Sequence, residues 1–491
     1  MLFNSIEFLF FLPAVFIIYW LLVKHRKAQN LFVLIASYVF YGWWDWRFLL
    51  LIAFTSFCSF VSGLLIERRE GDRGGQKLIS TANIVINLGI LAIYKYYDFF
   101  AANLAAIVKA LFNYNLDNLT LNLILPVGIS FYTFQALSYS IDVYQHRIKA
   151  TRDPVEFFAY ISFFPQLVAG PIERATNLLP QFQQARRFEY GKAVDGCRQM
   201  LWGLFKKIAI ADNCAILVDA TWNHYHEQSG ITLILAAILF SIQMYCDFSG
   251  YSDIAIGCAK LFGINLKKNF DFPYFSRNIS EFWRKWHISL MTWFRDYVYI
   301  PLGGSRCCKA KLIRNIFIVF LLSGLWHKAN WTYILWGGYH ATLITILILF
   351  NVKTKYDKPV AYGRILPTLK ETGMMILTFL LVVFSRIFSR SSNIGQAFGY
   401  IADIWNNMSL QIPLFYFRTE ALPHSIPIII IIGLTVLLVV EWLQRTKGHA
   451  LDFSGSKLMG RRSFRWSCYY LLLLIIYFSI NDNQDFVYFQ F

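Results

Sequence analysis

Charge is scarce in this chain. Only 15% of its 491 residues are Asp, Glu, Lys or Arg, while 57% are hydrophobic and 18% aromatic. An ordinary soluble domain carries about 25% charged residues, so a soluble globular fold is excluded. Long apolar runs recur along the whole length and leave no stretch for a separate water-soluble domain. Acids are scarcer than bases, 29 against 46, which leaves a net charge of +17. That excess does not indicate nucleic acid, because the Lys and Arg sit in short loops between apolar runs, the positive-inside arrangement. The eight cysteines lie mostly within or beside apolar segments and lack metal-ligand spacing. They read as free thiols in a lipid setting, Cys307-Cys308 in a basic loop included, and no metal is expected. Also missing are a Gly-rich phosphate loop and a Gly-x-Ser-x-Gly nucleophile elbow. No basic residue precedes the first apolar run, Phe8 to Val23, and Lys24-His25-Arg26-Lys27 follows it. That order predicts a retained span with its N-terminus outside rather than a cleaved signal peptide.

What is present is a multi-pass pattern. Loops that carry Lys and Arg at Lys24 to Lys27, Glu67 to Arg73, Arg306 to Arg314, Lys353 to Lys355 and Arg445 to Arg465 mark the cytoplasmic side. Between them run Phe48 to Ile66, Ile316 to Trp326, Trp331 to Phe350, Met374 to Phe388 and Ile426 to Val440. A last span, Tyr469 to Ile480, exports the acidic tail Asn481 to Asp485. Several runs are shorter than the ~20 residues of a simple crossing. Short or broken helices survive at membrane depth only when protein or a water-filled cavity shelters them. The reading is an all-α polytopic membrane protein of roughly eleven to thirteen transmembrane and re-entrant helices, one domain over 1–491, with an internal cavity. No internal repeat of the transporter kind is visible.

Histidines stand inside these runs. His327 lies thirteen residues past Arg314, about 20 Å into a ~30 Å hydrocarbon core. His340 returns to a similar depth. For an isolated intramembrane histidine two readings stand: a core group satisfied by backbone carbonyls, or a reactive group in a cavity. The polar break after Gly324, with Lys328 and Asn330, favours the second for His327; His340, on an otherwise apolar helix, fits the first or a tunnel wall. A third, His287, sits in Phe282 to Asp296. At about 100° per residue it falls amid Trp283, Leu290, Met291 and Phe294, away from Arg284, Lys285, Arg295 and Asp296. That predicts a re-entrant or interfacial helix with His287 inward; the alternative is a surface helix with an incidental histidine. A polar run, Gln243 and Cys246 to Asp253, interrupts the apolar stretch Ile231 to Phe262. Its carboxylates demand water, a partner charge or a proton role; the arginines of the 284–295 segment are candidate partners, and a structural ion pair and direct catalysis both stand as readings. The proline-flanked run Phe164 to Arg174 reads as a re-entrant corner. With no serine nucleophile or metal in view, a buried neutral imidazole suits general-base activation of a hydroxyl.

These stretches together resemble the membrane-bound O-acyltransferase family, and within it the bacterial branch that includes alginate O-acetyltransferase. The matching pieces are Met1 to Ser5, Ser37-Tyr38-Val39-Phe40-Tyr41-Gly42-Trp43-Trp44, Leu125 to Tyr132, Val168-Ala169-Gly170-Pro171, Asp247 to Asp253, Phe282 to Ser289, Gly324-Leu325-Trp326-His327 and Tyr488-Phe489-Gln490-Phe491. They span the chain in the expected order. The resemblance implies a ring of helices around a central tunnel. It places the family's invariant histidine on His327, as general base or transient acyl acceptor, and its second active-site position on His287, which would orient the donor or stabilise the transition state. Asp247, Ser249, Tyr251, Trp326, Asn330 and His340 are expected to line the tunnel. It further implies an acyl donor from the cytoplasm, acetyl-CoA, with no bound cofactor. A polysaccharide acceptor, a periplasmic partner protein that completes transfer, and membrane lipid would surround it. One departure is visible: Lys328-Ala329 stands where the family usually has Gly-Ala. The expected activity is O-acetylation of an exported or cell-wall glycan. The alternatives are a D-alanyl transferase for teichoic acid on the same fold and, in another class, a proton-coupled transporter.

Overall fold

The structure, a computed structural model, describes residues 1–116, 119–168, 170–409, 425–455 and 459–480. The acidic tail and the Tyr488 to Phe491 motif lie outside the described residues, as does Ala169. Among the described residues every regular element is helical. Seven helices are long and apolar enough to cross a membrane: Arg47–Arg68, Arg73–Phe112, Gly230–Leu261, Lys309–His327, Trp331–Leu349, Leu369–Arg390 and Ile426–Leu443. Ile6–Leu21 is a shorter apolar helix, started by Ser5, whose hydroxyl accepts from Phe8 N.

The chain divides into two compact units, Met1–Ala193 with Cys258–Lys267, and Val194–Gly257 with Lys268–Phe491. In the first, the helices Arg47–Arg68, Arg73–Leu91 and Ile129–Tyr144 pack through small and polar side chains. Asn83 Nδ2 donates to Ser140 Oγ at 2.9 Å, and Asn87 Nδ2 donates to Asn83 Oδ1 at 2.9 Å. Such bonds hold helices together where lipid offers no competing hydration. The expected corner at 164–174 is a buried one-turn helix, Phe164–Leu167. It is fastened by Gln166 Nε2 donating to Gln135 Oε1.

The second unit carries the histidines. The polar run 243–253 lies within one helix, Gly230–Leu261, continuous over 32 residues. At 1.5 Å per residue that is about 48 Å, longer than the hydrocarbon. Most of it is buried within the protein, so its carboxylates meet side chains rather than lipid and need no unwound backbone. Conversely, the 282–296 segment is not one helix. It is Ile279–Lys285 and Ile288–Phe294, separated at Trp286 and His287.

The helices Lys309–His327 and Trp331–Leu349 form a tight hairpin with His327 at its apex. Glycine permits the crossing. A Cβ on Gly324 would collide with the carbonyl oxygen of Tyr333, and one on Gly337 with that of Phe320. A Cβ on Gly338 would meet only Leu321 Cδ2, at 3.8 Å. Backbones this close gain dispersion contact along the seam. Gly324→Ala should therefore cost about 1–3 kcal/mol of stability and move His327, whereas Gly338→Ala should be near neutral. Thermal unfolding of the two variants in detergent checks this; equal midpoints would refute the close crossing.

Candidate active site

His327 ends its helix, and Lys328 turns extended. The imidazole is buried beneath Trp336, ring centroids 5.3 Å apart at 89°, an edge-to-face contact. It borders a cavity of about 310 Å³ lined by Met244, Trp286, His327, Tyr333, Trp336, Arg386 and Ser389.

His287 lies 6.3 Å from His327, centroid to centroid. Its backbone is left-handed, φ 46° and ψ 52°. A non-glycine residue held there signals a constraint set by its surroundings. The constraint is Asn269. Ile288 N donates to Asn269 O at 2.9 Å, and Ser289 N and Oγ both donate to Asn269 Oδ1. A backbone N–H can only donate, so these bonds orient the amide, and the ring then donates from Nδ1 to Asn269 Oδ1 at 3.2 Å. The proton on Nδ1 leaves Nε2 as the basic nitrogen. Burial lowers the His287 pKa from its ordinary 6.5 to about 3, so the ring is neutral at working pH.

A second cavity of about 350 Å³ is polar. Among its lining residues are Lys206, Ser249, Asp253, Asn269, Glu441 and His449. Lys206 Nζ donates to Ser249 Oγ at 2.8 Å and pairs with Asp253 at 2.6 Å. Tyr245 donates to the Glu441 carboxylate at 2.9 Å. Between the two cavities stands an aromatic partition. Phe248 packs against His287 at 4.6 Å, Phe270 against Trp286 at 5.1 Å, and Tyr245 against Trp286 at 6.2 Å. Phe270 and Tyr245 face the polar cavity while Trp286 faces that of His327. His287 is built into this partition.

The structure thus brings His327, His287 and Trp326 together; Trp326 lies 6.0 Å from His287. Ser249 lines the polar cavity. Asp247 and Tyr251 belong instead to a buried cluster around Lys207, which pairs with Asp247 at 2.9 Å and Asp212 at 2.8 Å and lies over the Tyr251 ring. Burial works against the Lys207 ammonium, but the two carboxylates outweigh it and hold its pKa above the ordinary value. The expected arginine partners of the 243–253 carboxylates are corrected here. Arg284 bonds Ser280 and the Thr354 carbonyl, and Arg295 pairs with Asp296. The cations that serve Asp247 and Asp253 are Lys207 and Lys206, from the π-helical turn Phe205–Ala211. Asn330 caps the helix that follows it through Thr332 N and donates to Ser392 O. His340 is bonded at both nitrogens: Trp283 Nε1 donates to Nδ1 at 3.3 Å, and Nε2 meets Ser385 Oγ at 3.1 Å. Of the expected residues, His327 is among those lining its cavity, whereas His287, Trp326, Asn330 and His340 are not.

Sequence reading missed Arg386, Trp336, Asn269 and Lys206. Arg386 had a signal, a charge inside an apolar span. Asn269 had none, since its role arises from chain pairing between 269–271 and 285–288.

A model of the membrane-bound O-acyltransferase family matches residues 148–386, which include His287, His327 and Arg386. A probable alginate O-acetylase of Pseudomonas aeruginosa is 40% identical over 399 residues, covering 81% of this chain and 73% of that protein. The chain belongs to the membrane-bound O-acyltransferase family. A peptidoglycan O-acetyltransferase of Helicobacter pylori is 33% identical over 427 residues, covering 81% of this chain and 78% of that protein. A teichoic acid D-alanyltransferase of Bacillus subtilis is 30% identical over 276 residues, covering 54% and 68%. The family match spans both His327, which borders the aromatic-lined cavity, and His287 beside it.

An imidazole that titrates near 6.5 unfolded and about 3 folded takes up its proton only in the unfolded chain between those values. It withdraws stability as pH falls from 6.5 toward 3. His287→Gln should therefore lose less thermal stability than the parent acyltransferase on acidification from pH 7 to 4. Parallel pH profiles would show that His287 is not held neutral.

Proposed function

We propose that this acyltransferase is an O-acetyltransferase of the inner membrane. It passes an acetyl group from a cytoplasmic donor, acetyl-CoA, toward hydroxyls of an exported or cell-wall, alginate-like polysaccharide. The observation that carries the reading is the pair of cavities on either side of the aromatic partition, with His327 bordering one and His287 in the wall between. The polar cavity, with Lys206, Asn269 and His449, suits a polar donor arm. His327 draws the proton from the attacking hydroxyl, and His287, fixed by Asn269, orients the acyl group. The partition keeps bulk water from the acyl carbon, which favours transfer over hydrolysis. The orientation proposed has both termini outside, and a periplasmic partner protein hands the acetyl group on to the polymer.

The O-acetylating relatives match more of this chain, at higher identity, than the D-alanyl transferase does. An acyl group supplied by a carrier protein rather than acetyl-CoA would favour the D-alanyl reading. His327→Ala, expressed at parental level and folded, should abolish ester acetate on the surface glycan, as read by mass analysis of saponified polymer against a deletion strain. Normal acetylation in that variant would overturn the assignment.

A further inference from the structure

Two buried N–H donors line the His327 cavity without an acceptor. Trp336 Nε1 and Arg386 Nε have no hydrogen-bond partner among the described residues, although the two side chains are 2% and 4% exposed. Leaving one buried donor unmatched costs about 1–3 kcal/mol, more for a charged group. Arg386 is also a full charge inside an apolar span, which is retained where it serves a function. Its guanidinium is held over the Trp286 ring at 4.6 Å, and Trp336 is held edge-to-face against His327. The helices that carry them are pinned together by His340: its Nε2 meets Ser385 Oγ, the residue before Arg386, while Ser385 donates to Val382 O at 2.7 Å. Since the Ser385 proton is committed, His340 donates from Nε2 and accepts from Trp283 at Nδ1.

We infer that Trp336 Nε1–H and Arg386 Nε–H form an oxyanion site facing His327, made for the carbonyl oxygen of the acyl donor. The inference rests on the acetyl-transfer reading above. The acceptor oxygen bonds to the carbonyl carbon of a thioester, the carbonyl π pair moves onto oxygen, and His327 takes the hydroxyl proton. The two N–H groups receive the oxyanion, and the positive charge of Arg386 adds to their effect in a site shielded from water. The carbon–sulfur bond then breaks with its pair on sulfur, which takes the proton from the imidazolium; an ester and a free thiol result. Donors fixed before the reaction need no reorganisation when charge develops, which accounts for tolerating them unmatched in the resting protein. His340 is a positioning residue for both.

The test uses membranes and periplasmic extract of the deletion strain carrying the full chain or a variant, so that the partner protein is present, with labelled acetyl-CoA and a deacetylated polymer. Trp336→Phe keeps an aromatic ring but loses the N–H; Arg386→Lys keeps the charge but loses the Nε–H. Each should lower kcat about 10²–10³-fold with KM for the donor unchanged, and guanidinium ion should partly restore kcat to Arg386→Ala. A packing role would instead lower the unfolding midpoint without rescue. Wild-type kcat in both Trp336→Phe and Arg386→Lys, with His327→Ala inactive, overturns the oxyanion site and leaves the acetyl-transfer reading standing. Wild-type transfer by His327→Ala overturns that reading itself.

Discussion

The backbone contact at Gly324 is the constraint on which the site depends. Where a Cβ at Gly324 would run into the Tyr333 carbonyl, two helices meet almost backbone to backbone. That contact lets a three-residue connection, Lys328 to Asn330, turn the chain back. It sets His327 at the tip of the hairpin and swings Tyr333 and Trp336 over it from the returning helix. A wider crossing would separate the imidazole from the rings that enclose it. Apolar surface alone could not do this, since lipid tails compete equally for any apolar side chain.

The same logic governs the polar groups. Charges at this depth survive in clusters: Lys206 with Asp253 and Ser249, Lys207 with Asp247 and Asp212. Adjacent lysines point in different directions from one helical turn and so serve two different clusters; the turn is π-helical, a geometry that often marks functional sites. Gly203, just before that turn, and Gly250, on the facing helix Gly230–Leu261, approach so closely that a Cβ on Gly203 would sit 2.5 Å from the Gly250 carbonyl oxygen. Close backbones shorten the distance that two short carboxylate side chains must span. Ion pairing is thus a consequence of glycine placement.

Sequence made the crossings legible because hydropathy is additive along a chain. The spans read at 48–66, 316–326, 331–350, 374–388 and 426–440 coincide with helices. His327 was legible for the same reason: an imidazole in hydrocarbon is costly wherever the chain goes next. The break at His287 was not. Periodicity gave a plausible helical face, but the left-handed residue is imposed by Asn269, eighteen positions earlier. At 243–253 sequence showed that the carboxylates need partners, but not that Lys206 and Lys207 supply them.

By itself, then, sequence determined the class of protein, its candidate reactive groups and its family, because each depends on residue type and order. Tertiary structure alone decided which groups work together. Three histidines of similar cost became a cavity residue, a partition residue held neutral by burial, and a brace bonded at both nitrogens. The physical reason is that hydrogen-bond satisfaction and burial are properties of neighbours brought in from distant parts of the chain. No local pattern can report them.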